Sequence, residues 1–205
     1  MTQTAKLLRL AAATAAALAL TGCLGLGGGK PPPSLLSLTP TMVAPAGALA
    51  SGTGATAIMV MEPETDKRLA VQRVPVQVSA TSVAYLKDAL WVERPARLFR
   101  GLLAETLRAY TQQAGAARLV LEDDQASPLV TTRLSGRLLD MGYDAQAMTA
   151  VVRFDAFRTG PKGEVTTRRF ESVVPGVAAE SGAVGVALNR AANDVAGQVA
   201  EWMVR

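Results

Sequence analysis

The chain has no histidine and a single cysteine, Cys23. Without an imidazole there is no base for a Ser-His-Asp or Cys-His nucleophile system. A zinc site made of histidines or several cysteines within one chain is excluded as well. One cysteine cannot close an intrachain disulfide. Aromatic residues are scarce, at 4%, although hydrophobic residues reach 49%. The apolar content is therefore Ala, Val and Leu, and part of it belongs to a leader, not a core. No Gly-x-Ser-x-Gly elbow of the hydrolase type occurs. A hydrolase would have to rely on carboxylates or on a Ser-Lys pair, and Lys67, Lys87 and Lys162 are the only lysines beyond the N-terminal region. The expectation is a non-enzymatic protein with no cofactor and no metal.

Residues 1–22 read as a bacterial secretory signal. Lys6 and Arg9 form a positive n-region, and Leu10 to Leu20 is an Ala- and Leu-rich h-region. That run is too short for a membrane span, which needs about 20 apolar residues. It is followed by Leu20-Thr21-Gly22-Cys23, small residues and then the lone cysteine. This stretch resembles the lipobox of bacterial lipoproteins. The resemblance implies that Cys23 is acylated and becomes the mature N-terminus. Each buried methylene contributes about 0.8 kcal/mol, so two or more acyl chains hold a protein stably without any span. Removing residues 1–22 takes away Lys6 and Arg9 and no acidic group, so the formal charge of +4 falls to +2. A basic footprint for nucleic acid nearly disappears with the leader.

Residues 23–54 read as the lipidated cysteine followed by a Gly/Pro-rich tether, with glycines for flexibility and Pro31-Pro32-Pro33 for stiff extension. Gly29-Lys30 does not make a phosphate loop. The pattern needs Gly at position 24 and Ser or Thr at position 31, and those residues are Leu and Pro. A globular domain is expected over residues 55–205.

Within it, Ala57 to Met61 is a short apolar run that reads as a buried strand. Val74 to Val78 alternates and, with Pro75, reads as a second or edge strand. Tyr85 to Val92 reads as extended. Pro95 opens a helix on which Leu98, Phe99, Leu102, Leu103, Leu107 and Tyr110 share a face; Arg97, Arg100, Glu105 and Arg108 fill the other, and Gly115 follows the end. Arg118 to Leu121 reads as a strand, and Glu122-Asp123-Asp124 as a solvated turn. Thr131 to Tyr143, Val151 to Phe157 and Val165 to Val174, joined by short turns, predict an antiparallel meander, with Gly136 marking a bulge. Its charged residues, Arg153, Arg168, Arg169, Asp155 and Glu171, fit one polar, solvated face. A last amphipathic helix runs from about Val184 to Val204, with Leu188, Ala191, Val195, Val199 and Trp202 in its stripe. The fold class expected is α+β: a mainly antiparallel sheet with two amphipathic helices packed on one face.

These features together resemble a known family. The residues that carry the likeness are the lipobox at Cys23, the Pro-rich spacer, Ala57-Ile58-Met59-Val60, Val74-Pro75-Val76, the stretch from Tyr85 to Pro95, and the last helix with Ala187-Leu188. The chain resembles the ABC-type transport auxiliary lipoprotein component, which accompanies MCE-type (mammalian-cell-entry-type) lipid transport systems. Where that family often has a Tyr-x-Leu segment, this chain has Leu36-Ser37-Leu38. The resemblance implies a periplasm-facing lipoprotein of the outer membrane that assists phospholipid transport between inner and outer membranes by binding and assembly. It implies an MCE-type protein and an ABC transporter complex as partners, with phospholipid a candidate ligand. Some relatives form rings, so a homo-oligomeric ring is a further expectation. Leu24 after the cysteine, in place of the Asp that retains many lipoproteins at the inner membrane, points to outward sorting. The competing reading is a structural outer-membrane lipoprotein that binds envelope proteins or peptidoglycan and has no role in lipid transport.

Overall fold

The computed structural model describes residues 34–115, 117–125 and 129–205. Cys23, the leader and residues 24–33 of the tether lie outside them. The described residues form an α+β fold of eight strands and two long helices. In chain order these are β1 (Ile58–Val60), β2 (Glu64–Thr65), β3 (Arg73–Ser79), β4 (Ser82–Leu90), α1 (Pro95–Gln113), β5 (Val120–Glu122), β6 (Thr132–Asp144), β7 (Thr149–Thr159), β8 (Val165–Val174) and α2 (Ser181–Val204).

The long strand β6 organises the sheet. Along one edge it pairs antiparallel with β7, and β7 pairs antiparallel with β8. This is the expected meander. Along the other edge β6 meets three short partners end to end, β1, β2 and β3, all parallel to it. Beyond these, β5 adds in parallel to β1 and β4 antiparallel to β3. The sheet is therefore mixed, and its parallel half is a departure from the mainly antiparallel expectation. Parallel neighbours need long crossover connections, and here α1 lies between β4 and β5. Strand β3 is interior, between β4 and β6. Its Pro75 sits next to an irregularity in register, where Arg73 faces Leu90 but Pro75 already faces Tyr85. The three extra residues of β4 are accommodated by Asp88, whose φ is +55°.

Both helices cover the same sheet face. Inward residues alternate along β6 and β7: Leu134, Leu138 and Met141, then Ala150, Val152, Phe154 and Ala156, all at 1% exposure or less. Phe99 of α1 meets Phe154 edge-to-face at 5.3 Å, and Trp202 of α2 meets Phe170 of β8 at 5.7 Å. Small residues on α2, Ala187, Ala191, Ala192, Ala196 and Ala200, are buried and let it lie close. A second, smaller cluster of Ala57, Met59 and Val130 packs with Met61, Leu119 and Leu121. It explains why β1 is apolar throughout.

Gly136 is not a bulge; the register shift falls between Leu138 and Asp140. Gly136 lacks a side chain for another reason. A Cβ there would run into the Asp155 carbonyl and the Phe154 ring. Gly136→Ala is expected to destabilise the domain by about 1–3 kcal/mol, the usual cost of overpacking. Denaturant titration checks this, and an unchanged midpoint would show that the neighbours yield freely.

The folded unit begins at Ser34 and not at residue 55. The segment expected as tether is, from Leu36 onward, strapped to the domain. Leu36 forms a parallel bridge with Trp91, and Leu38 is 9% exposed.

Candidate functional site

The one site residue assigned from sequence, Cys23, lies outside the described residues. What the structure supplies is the domain that such an anchor would carry, and three groupings of polar side chains on it.

The first holds the entering strap. Asn189 and Asn193 lie one turn apart on α2, on the same face. Thr39 N–H donates to Asn189 Oδ1 at 2.8 Å, and Thr41 N–H to Asn193 Oδ1 at 2.8 Å. Asn193 Nδ2 donates to the Thr39 carbonyl at 3.0 Å. At 9% exposure, Asn193 is a buried amide whose oxygen and one donor read the extended backbone of the strap, while Nδ2 also donates to the Asn189 carbonyl of its own helix at 2.8 Å. The strap continues to α1, where Ala44 N–H donates to Glu105 Oε1 at 2.8 Å. The asparagine pair was the available sequence signal: two amides at i and i+4 on an otherwise Ala- and Val-rich helix.

The second is an ion network that sequence reasoning missed. Helical spacing puts Arg100 on the open face of α1, yet it is 6% exposed. Its Nε lies 3.2 Å from Glu122 Oε2, and Nη1 donates to Asp123. Asp123 Oδ2 accepts the Glu62 N–H at 2.8 Å. Arg108 reaches Glu122 at 3.2 Å and the Val120 carbonyl at 3.3 Å. Glu122 and Asp123 are therefore not a solvated turn. They are the anionic half of a cluster that ties α1 to β5 and to the β1–β2 connection. Among the described residues no group of three acidic, histidine or cysteine side chains is placed to hold a metal.

The third is the open face of the meander, turned away from the helices. Register places Arg137, Asp155 and Arg169 in one row across β6, β7 and β8, and Asp140, Arg153 and Glu171 in the next. The two rows carry opposite charge sequences. Each charge has an opposite charge beside it within its row, the arrangement that favours cross-strand pairs. Arg169 grips Asp155 with two bonds of 2.6 and 2.7 Å, and Arg153 donates to Glu171. The Arg169 hydrogen bond holds the Asp155 carboxyl below the usual carboxylate range. Arg153, Arg169, Asp155 and Glu171 thus lie on the expected polar face, and Arg153 and Arg169 are matched there by carboxylates. Arg168 does not belong to it: alternation puts it on the side of β8 that faces the helices, opposite Ala156, with its guanidinium 5.0 Å from the centre of the Phe170 ring.

One end of that face deepens into a cleft of about 260 Å³ lined by Arg68, Gln77, Asp140, Asp144, Val151 and Arg153, among others. Arg68 lies 3.5 Å from Asp140 and donates to the Leu139 carbonyl at 2.6 Å. Burial pushes the Asp140 carboxyl above its ordinary range, and Arg68 and Arg153 only partly offset it. A raised folded-state value means that protonation favours the fold. The contribution is complete below the unfolded carboxylate range, near pH 4, and is lost as pH rises through the raised value. Asp140→Asn removes this titration. Its stability relative to the parent chain should therefore increase between pH 4 and pH 7, measured as a difference in melting temperature. A difference that is flat or falls with pH would contradict the burial account.

No helix among the described residues is long and apolar enough to cross a membrane. No family model matches the chain, and no curated protein matches it. Solved structures do. Protein XCC0632 from Xanthomonas campestris, of the family model DUF330, superposes with a TM-score of 0.61 at 15% identity, over 83% of this chain and 91% of that one. An uncharacterized protein superposes at 0.62 and 12% identity, over 83% and 99%. The PelC dodecamer from Paraburkholderia phytofirmans aligns at a TM-score of 0.39 and 15% identity, over 73% of this chain and 89% of that one, a likeness too low to carry an argument. What the chain has in common with XCC0632 and the second protein is the fold.

Proposed function

We propose that this chain is a lipid-anchored, periplasm-facing accessory subunit of an MCE-type ABC transport system for phospholipids, acting by binding and assembly and not by catalysis. The observation that carries the lipid anchor is Leu20-Thr21-Gly22-Cys23 behind a positive, apolar leader, with a folded domain that starts at Ser34; the transport assignment rests on the family resemblance carried by Ala57 to Val60, Val74 to Val76, Tyr85 to Pro95 and the last helix. An MCE-type protein and the ABC transporter complex are the partners in this reading, and a ring of copies the candidate assembly.

Affinity purification of the acylated protein from cell envelopes, carrying a tag after Arg205, tests the partner assignment. An MCE-type protein enriched together with the permease and ATPase is the expected result. Enrichment of porins or peptidoglycan alone would favour the structural lipoprotein instead. Two variants test the anchor and its address. Cys23→Ser should lose acylation and leave the membrane fraction, and Leu24→Asp should move the protein from outer-membrane to inner-membrane fractions of a density gradient. A Cys23→Ser protein that still fractionates with the outer membrane would defeat the lipoprotein reading.

A further inference from the structure

The chain enters the domain beside a surface unlike the charged rows of the meander. Leu36 N–H donates to the Leu90 carbonyl at 2.7 Å, and the Leu36 carbonyl accepts Val92 N–H at 2.8 Å. This bridge adds a short strand outside the C-terminal end of β4. Its two paired residues turn inward. Trp91 is 1% exposed, and Leu36 packs against the core over Gly185. Side chains alternate along extended chain, so Leu35, Leu90 and Val92 turn outward, at 53%, 38% and 44% exposure. Arg73 faces Leu90 across β3 and β4, and its guanidinium lies 4.7 Å from the centre of the Tyr85 ring. Three aliphatic side chains thus sit together with a tyrosine and an arginine at their margin.

We infer that this surface, Leu35, Leu90 and Val92 flanked by Tyr85 and Arg73, is the one the domain lays against a phospholipid leaflet. Resting on the acylation of Cys23, the orientation follows from where the chain emerges. Leu35 is twelve residues from Cys23, a stretch that can span no more than about 40 Å. Of the exposed faces described above, this one is therefore tethered most closely to the bilayer. Its composition suits the place. Aliphatic side chains can enter the headgroup boundary, a tyrosine suits the interface between apolar and wet regions, and an arginine can pair with phosphates. A second copy is the less suitable occupant. The backbone edge of β4 at this point is already used by Leu36, so strand addition by another chain has no ladder to join here. The meander face is unsuitable for contact with lipid tails, because its two rows of ion pairs would lose their hydration.

The chain has no cysteine besides Cys23, and acylation caps that one. Single-cysteine probes are therefore available in the full protein. Val92→Cys and Leu35→Cys place an environment-sensitive fluorophore on the surface, and Gln198→Cys places one on the exposed side of α2. Each acylated, labelled protein is purified from envelopes and reconstituted in vesicles of phosphatidylethanolamine and phosphatidylglycerol containing spin-labelled quencher lipid. The probes at Val92 and Leu35 should lose most of their emission, and the probe at Gln198 should keep its own. Acylated, vesicle-bound protein in which all three probes emit alike would overturn the orientation and leave the anchor intact. Disulfide formation between copies through Val92→Cys would hand the surface to a second protomer and overturn it equally. An N-terminal peptide without acyl chains would remove the anchor, and the orientation with it.

Discussion

Arg100→Met is expected to lower the stability of the domain by about 3 kcal/mol, the lower end of what breaking a buried ion pair from one side costs. Arg100 is 6% exposed, and the Glu122 and Asp123 side chains retain only 18% and 24% of their exposure. Methionine fills much of the volume but takes one cation away from each carboxylate. Arg108 still reaches Glu122 at 3.2 Å, so the loss falls mainly on Asp123. Arg100→Lys should lose less, because it returns a charge but not the planar fork. The double variant Arg100→Met with Asp123→Asn should recover part of the loss, since the orphaned charge is then gone. Denaturant unfolding of the four proteins measures this. If Arg100→Met unfolds at the parent midpoint, the cluster is not holding α1 against β5.

The second large effect is expected at Leu103. Leu103→Asp should prevent folding, and Leu102→Asp should do the same. The two side chains are 1% and 2% exposed, inside the cluster shared by both helices and the sheet. An unpaired carboxylate there has no cation to meet. Its burial costs several kcal/mol on top of the lost leucine packing. A domain of this size has about 5–15 kcal/mol of stability in total. Val186→Asp, at a position 75% exposed on α2, is the control and should leave the circular dichroism spectrum and the melting temperature nearly unchanged. A cooperative melt from Leu103→Asp would mean that α1 packs less tightly than its burial indicates.

The elements written most plainly in the sequence were those governed by local rules. The meander was legible because period-two alternation in Thr149–Thr159 and short polar turns specify neighbours directly. α1 announced itself through Pro95 at the start, leucines at three- and four-residue spacing, and Gly115, with φ +69°, just past the end. The parallel pairings of β1, β2 and β3 with β6 were not legible, because a three-residue apolar strand does not say which distant edge it joins. Arg100 was misplaced for a related reason. Helical spacing puts it beside Arg97 and Arg108, and only the arrival of β5 and Asp123 encloses it. The strap was hidden by composition. Ser34 to Pro45 resembles the spacer before it, and its attachment depends on Asn189 and Asn193, some 150 residues later in the chain. Gly136 drew attention correctly, but the reason is close approach to β7, not a bulge.

The account depends above all on the fate of Cys23, so the most direct measurement is the mass of the N-terminal peptide of the protein isolated from cell envelopes. The predicted result is a peptide that begins at Cys23 and carries diacylglycerol on sulfur, with a further acyl chain on the amino group, and no trace of residues 1–22. A peptide that retains the leader, or one that begins elsewhere and carries an unmodified thiol at Cys23, would contradict it.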